Sequence, residues 1–156
     1  MKKIVLGILI GLFVSSCATF NPIPEGYSGP VANIEDTSSN DTGLSAHYFE
    51  LSKINGNMIS TSFNATRKKY SGQGTNFDPV MLNRDVVPEE AVFTIQGYKF
   101  FPTGAQALFS NDLMVKKDFI FTPEANKKYY IKGELSKELS QVWMEDENGN
   151  IIPASR

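Results

Sequence analysis

The sequence predicts an all-β domain carried behind a short N-terminal export segment. Between Val31 and Ile152, about eight short stretches alternate apolar or aromatic residues with polar ones, and turn residues separate them at roughly 8–15-residue intervals. No stretch of this region carries a convincing amphipathic helical stripe. The 11 Phe, 6 Tyr and many Val and Ile supply a core suited to pleated surfaces. Together these features predict an antiparallel, immunoglobulin-like β-sandwich of about 7–8 strands.

The segments follow in order. Lys2 and Lys3 form a positive leader, and Ile4 to Val14 form an unbroken apolar run. As a helix that run would rise roughly 16 Å, too short for a bilayer core of about 30 Å. With no polar face it does not read as a helix of the folded domain, and with Ser15 and Ser16 behind it residues 1–16 read as a signal peptide. Residues 17–29 hold Pro22, Pro24, Gly26 and Gly29 without hydrophobic period and read as a flexible linker. Residues 30–156 form the predicted β domain.

Within that domain, Pro30 opens an expected edge strand over Val31–Asp36, followed by a loop from Thr37 to Gly43. Ala46–Ile54 alternates strongly, with His47, Phe49, Leu51 and Lys53 on one face and Ala46, Tyr48, Glu50 and Ser52 on the other. Asn55-Gly56 follows, the dipeptide a type I′ hairpin prefers, and Met58–Phe63 is expected as its return strand. Residues 64–78 break the alternation, and a helical turn over Ala65–Tyr70 with a glycine-rich loop is expected there. Strands are expected again at Val80–Val87, Ala91–Gln96, Leu113–Thr122, Lys128–Leu135 and Gln141–Asp146. Gly97–Asn111 reads as a longer excursion, with Tyr98, Phe100, Phe101 and Phe109 as core aromatics, and Trp143 as a core or half-core one. A turn at Glu147–Asn150 leads into a last short strand, Ile151-Ile152.

The only cysteine, Cys17, stands where the apolar run ends. Val14-Ser15-Ser16-Cys17 resembles the lipobox of bacterial lipoproteins, an aliphatic residue and two small ones before the cysteine. The resemblance implies cleavage before Cys17 and lipidation of that residue, with acyl chains that anchor the protein. One myristoyl-length chain binds only marginally, whereas three make a practically permanent anchor. Ala18, where an aspartate would imply inner-membrane retention, implies transfer to the outer membrane with the domain facing the periplasm. In a Gram-positive host the same anchor would hold the domain outside the single membrane. Further pieces resemble many small bacterial lipoproteins: Gly29-Pro30-Val31-Ala32-Asn33-Ile34-Glu35-Asp36-Thr37, Ile54-Asn55-Gly56, Val87-Pro88, Phe121-Thr122-Pro123-Glu124 with Tyr130-Ile131, and Asp146-Glu147-Asn148-Gly149. That resemblance implies a β-sandwich of poorly defined function and carries no catalytic residues.

Removing the first 16 of 156 residues leaves 140, one domain's worth. Taking Lys2 and Lys3 from the 15 basic residues leaves 13 against 17 acidic, a formal balance of −4. Such a surface gives no footprint for nucleic acid. Without a second cysteine there is no disulfide, and packing alone stabilises the core.

Few residues suggest chemistry. His47 is the only histidine and has no Cys or His partner for zinc, and no Gly-x-Ser-x-Gly elbow accompanies the Ser and Asp residues. Adjacent carboxylates at Glu89-Glu90 and Glu145-Asp146-Glu147 point to opposite strand faces and do not converge. Asp146–Asn150 lacks the spacing of a calcium loop and reads as a solvated turn. No enzymatic activity, cofactor or metal is expected. Arg67, Lys68 and Lys69, beside Gly72 and Gly74 and the aromatics Tyr70 and Phe77, form the one candidate ligand-binding segment, suited to an anionic group. The expected function is a membrane-anchored, non-enzymatic interaction or structural module of the envelope, partnered by another envelope protein or glycan. The alternative is a glycan-, peptidoglycan- or lipid-binding domain that uses the basic, Gly-rich loop 67–77.

Overall fold

A computed structural model describes residues 19–71, 76–102 and 113–153. Cys17, Gly72, Gly74 and Phe109 lie outside these residues. The described chain forms nine strands and one helix: β1 (Ala32–Glu35), β2 (Thr37–Ser39), β3 (Ala46–Ile54), β4 (Asn57–Met58), α1 (Ser62–Tyr70), β5 (Asn83–Val86), β6 (Ala91–Phe100), β7 (Met114–Phe121), β8 (Lys128–Leu135) and β9 (Ser140–Asp146). They build two sheets, in the orders β5-β1-β8-β9 and β2-β3-β6-β7, with β4 also paired to β3. Pairing is antiparallel except between β1 and β8, where Asn33 faces Lys128 and Glu35 faces Tyr130 in parallel. The inner faces of the two sheets share one core that includes Ile34, Phe49, Leu51, Phe93, Ile95, Phe119, Ile131 and Met144. The β-sandwich expected from the alternation is therefore present.

Several expectations are corrected. Val31–Asp36 is not an edge: β1 lies between β5 and β8. Its side-chain pattern resembles an edge strand because it is short, and its parallel partner is far along the chain. The loop expected after it contains β2, which pairs with β3 in the opposite sheet. The chain thus changes sheets at Asp36. Ala91–Gln96 continues as a strand to Phe100, because Gly97, Tyr98 and Phe100 stay in register with Phe49, Tyr48 and Ala46 of β3.

The Asn55-Gly56 turn forms as expected, with φ of 49° and 79° at the two residues. Its return strand, however, is only Asn57–Met58, and a helix starts at Ser62. Thr61 caps that helix, its hydroxyl accepting from the Asn64 N–H at 3.3 Å. The helix buries a polar stripe rather than an apolar one. Ser62 and Thr66, one turn apart, are both 0% exposed. Ser62 Oγ accepts from the Leu82 N–H, and Thr66 Oγ1 accepts from the Val80 N–H and the Tyr48 hydroxyl. Hydroxyls that bond backbone across an interface substitute for apolar contact, so no hydrophobic period marks the helix. A register shift between Leu51 and Lys53 also breaks the alternation of β3. The extra residue of this bulge brings Lys53 to the same outer surface as Ser52, so it does not share a face with Leu51.

Candidate functional site

The outer face of the second sheet is covered at one end. Tyr48, Phe77 and Phe100 are buried there, with Phe63, Tyr70, Met81 and Tyr98 packed against them under α1. Phe77 meets the Phe100 ring edge-on at 5.0 Å, and Tyr70 meets Phe77 edge-on at 6.3 Å. Beyond the first turn of the helix no described residue covers the sheet, leaving a groove of about 610 Å³.

Glu50 lies at the base of this groove and is 0% exposed. One carboxylate oxygen accepts from the Phe63 N–H at 2.9 Å, the other from the Gln96 amide at 2.8 Å. Phe63 is in the first turn of α1, where backbone N–H groups have no helical partner, so the carboxylate satisfies one of them at the positive end of the helix. Burial pushes the Glu50 pKa up, against the pull of the Phe63 N–H, with Asp36 adding to the rise. Burial likewise raises the Tyr98 phenol, with Glu50 the leading charge acting on it. The buried Tyr98 hydroxyl has no hydrogen-bond partner among the described residues.

A second buried carboxylate explains the sheet crossing. Asp36 is 1% exposed and takes two bonds from the Arg84 guanidinium, both at 2.7 Å. It also accepts from the Leu51 N–H and from Ser62 Oγ. Leu51 sits on the edge of β3 between its pairings with β2 and β4, so the carboxylate fills the gap in the ladder. Arg84 Nε in turn donates to the Ser60 carbonyl. Every partner is structural.

The sequence candidates fall elsewhere. Arg67 and Lys68 are exposed on the last turn of α1, a placement that complements the helix dipole. Arg67 stands over the Phe63 ring at 5.3 Å and Lys69 over the Tyr70 ring at 4.9 Å. Tyr70 is half-buried, and Phe77 is 2% exposed inside the aromatic cluster, so Phe77 offers no binding surface. Phe77 followed a glycine-rich loop in sequence, which hid its packing role. Cys17 lies outside the described residues. His47 is 8% exposed, and its Nδ1 lies 3.2 Å from the Asn40 amide. Burial, then Lys99, lowers its pKa. Asp146 accepts from the Asn148 and Asn150 N–H groups and from the Asn150 amide, which hold its pKa down and close the turn. Trp143 is half-buried on the outer face of the first sheet and donates to Glu145 at 2.6 Å.

Sequence reasoning missed the groove residues Lys53, Met58, Lys99, Met114 and Lys116, which come from β3, β4, β6 and β7. The available signal was Met114, an apolar residue on the polar face of β7. Among the described residues no helix is long and apolar enough to cross a membrane, and no three His, Cys, Asp or Glu side chains gather as a metal site. No protein family model matches the chain, and no curated protein or solved structure matches it either.

Proposed function

We propose that the protein is a lipoprotein of the cell envelope, anchored through Cys17, that works as a non-enzymatic binding module. The anchor belongs in the outer membrane, with the domain facing the periplasm. The observation that carries this reading is where the chain enters the domain. Thr19 borders the groove, and the Phe20 N–H donates to the Met58 carbonyl at 2.9 Å. The tether therefore leaves from the rim of the largest concavity among those described. The size suits a ligand site, since such sites run about 300–1,000 Å³.

The alternative surface, the 67–77 segment, is supported by exposed Arg67 and Lys68. Arg67→Glu with Lys68→Glu would leave capture of envelope glycan or lipid unchanged if the groove is the binding surface. An immunoglobulin-like sandwich orders its sheets A-B-E-D and C-F-G. Here β6 rather than β7 adjoins β3, and β1 is inserted between β5 and β8, so we take the domain as a variant of that sandwich.

Fractionation of cells that make the wild-type protein or Cys17→Ala tests the anchor. The wild type is expected in the membrane fraction as a processed, acylated species by mass spectrometry. A Cys17→Ala protein that remained fully membrane-bound while the wild type carried no acyl mass would falsify the lipoprotein reading. In vivo crosslinking of the tethered protein, compared with Cys17→Ala, then identifies the partner.

A further inference from the structure

The rim of the groove combines two features that soluble surfaces usually keep apart. Met58 and Met114 are 68% and 61% exposed, and both line the groove. Large apolar side chains that share a face in water mark a surface meant for contact. Around them stand Lys53, Lys99 and Lys116. The whole chain has a formal net charge of −2, so this positive charge is local to the face. Among the described residues, the only carboxylate lining the groove is Glu50, buried on the floor and bonded to Phe63 and Gln96. Asp118, further along β7, accepts from the Thr94 hydroxyl at 2.7 Å. The rim itself therefore presents cations and thioethers.

The chain enters at the same rim. Thr19 lines the groove, and Phe20 is strapped to β4 through the Met58 carbonyl. Cys17 precedes Thr19 by two residues, a reach of at most about 7 Å even when fully extended. Whatever Cys17 is attached to lies next to this face.

We propose that the groove face is a membrane-docking surface: Met58 and Met114 enter the apolar boundary, and Lys53, Lys99 and Lys116 meet anionic phospholipid headgroups of the bilayer that holds Cys17. This rests on the lipoprotein reading for its tether and adds an orientation to it. Lysine suits the role because its methylene stem follows apolar surface while the ammonium stays at headgroup level. Attraction to an anionic leaflet falls off within a Debye length, so the short strap is what makes these charges effective. The first sheet, with Trp143, then faces away from the lipid and stays open to a soluble partner.

The test uses the full, processed protein reconstituted in phosphatidylcholine vesicles, with and without phosphatidylglycerol. An environment-sensitive fluorophore is attached at Met114→Cys, or at Gln141→Cys on the outer face of the first sheet. Spin-labelled lipid is expected to quench the probe at 114 strongly and the probe at 141 weakly. The difference should grow with phosphatidylglycerol and shrink with salt. Lys99→Gln and Lys116→Gln should each lower the ratio of docked to undocked protein about fivefold. Equal quenching at the two positions, or a ratio indifferent to both lysines, overturns the proposal. Circular dichroism of each variant shows whether the fold is kept, and Lys53→Gln provides a second charge variant if one of the others misfolds. Failure of the tether is read separately, as an unmodified Cys17 in the mass spectrum. The same labelled protein added to preformed vesicles then decides docking on its own, by the same comparison of 114 with 141.

Discussion

Asp36 is 1% exposed at the point where the chain passes from β1 in one sheet to β2 in the other. Its carboxylate is bonded by both Arg84 nitrogens, the Leu51 N–H and Ser62 Oγ. Removing one partner of a buried ion pair leaves the other charge without compensation. Asp36→Ala is therefore expected to cost about 3–5 kcal/mol in chemical denaturation. The double variant Asp36→Leu/Arg84→Met, which buries no charge, should recover part of that loss. It should still fall about 1–3 kcal/mol short, because the Leu51 N–H keeps no acceptor. Full recovery would mean that this N–H finds water. Glu50 gives the pH dependence. Its folded-state pKa is raised above 4.5 by burial, so the folded protein holds this proton to higher pH than the unfolded chain. Its stabilising contribution is complete below the unfolded value and is lost as pH rises through the folded one. Glu50→Gln, neutral throughout, should flatten that decline between acid and neutral pH. Urea midpoints of the two proteins check it, and parallel curves would remove Glu50 as the cause.

Among the elements, β3 and β8 meet through one ring. Phe49 points inward from β3, and a methyl group added at Gly133 of β8 would collide with that ring and lie 2.7 Å from the Gln141 carbonyl. At Gly97 of β6 it would lie 2.9 Å from the same ring. The two glycines leave room for the Phe49 ring between the sheets. Gly133→Ala should lower stability by about 1–3 kcal/mol, the cost of overpacking. Phe49→Leu should relieve part of it in the double variant if the ring is the obstacle, and a strictly additive double variant would place the strain at the Gln141 carbonyl instead. The helix was legible as a turn over Ala65–Tyr70, but its start at Ser62 and its buried face were not. Its two buried positions are Ser62 and Thr66, hydroxyl residues whose partners Leu82, Val80 and Tyr48 come from distant segments. Nothing local in 62–70 announces that face. The strands were legible because alternation reflects burial on one side, as in Val142 and Met144 against Gln141, Trp143 and Glu145 of β9.

At the scale of the molecule, the sandwich closes through its first strand. β1 pairs with β5 on one side and, in parallel, with β8 on the other. Just past the Asp36 crossing, Thr37 reaches from the second sheet to the Ile131 carbonyl in β8, 94 residues away in sequence. Such pairings are paid for in loop-closure entropy before they stabilise anything, which makes this a topology of slow folding. The groove face and the entry point of the chain share one rim, and both proposed experiments, acylation at Cys17 and lipid quenching at position 114, test consequences of that placement.

The sequence by itself determined the alternation that makes two half-buried sheets, the Asn55-Gly56 turn and the setting of Cys17 behind an apolar run, all of them local patterns. Only the tertiary structure decided the central place of β1, the burial of Phe77, the polar seam of α1 and the gathering of Lys53, Met58, Lys99, Met114 and Lys116. These depend on which distant strands become neighbours, which no single segment of the sequence specifies.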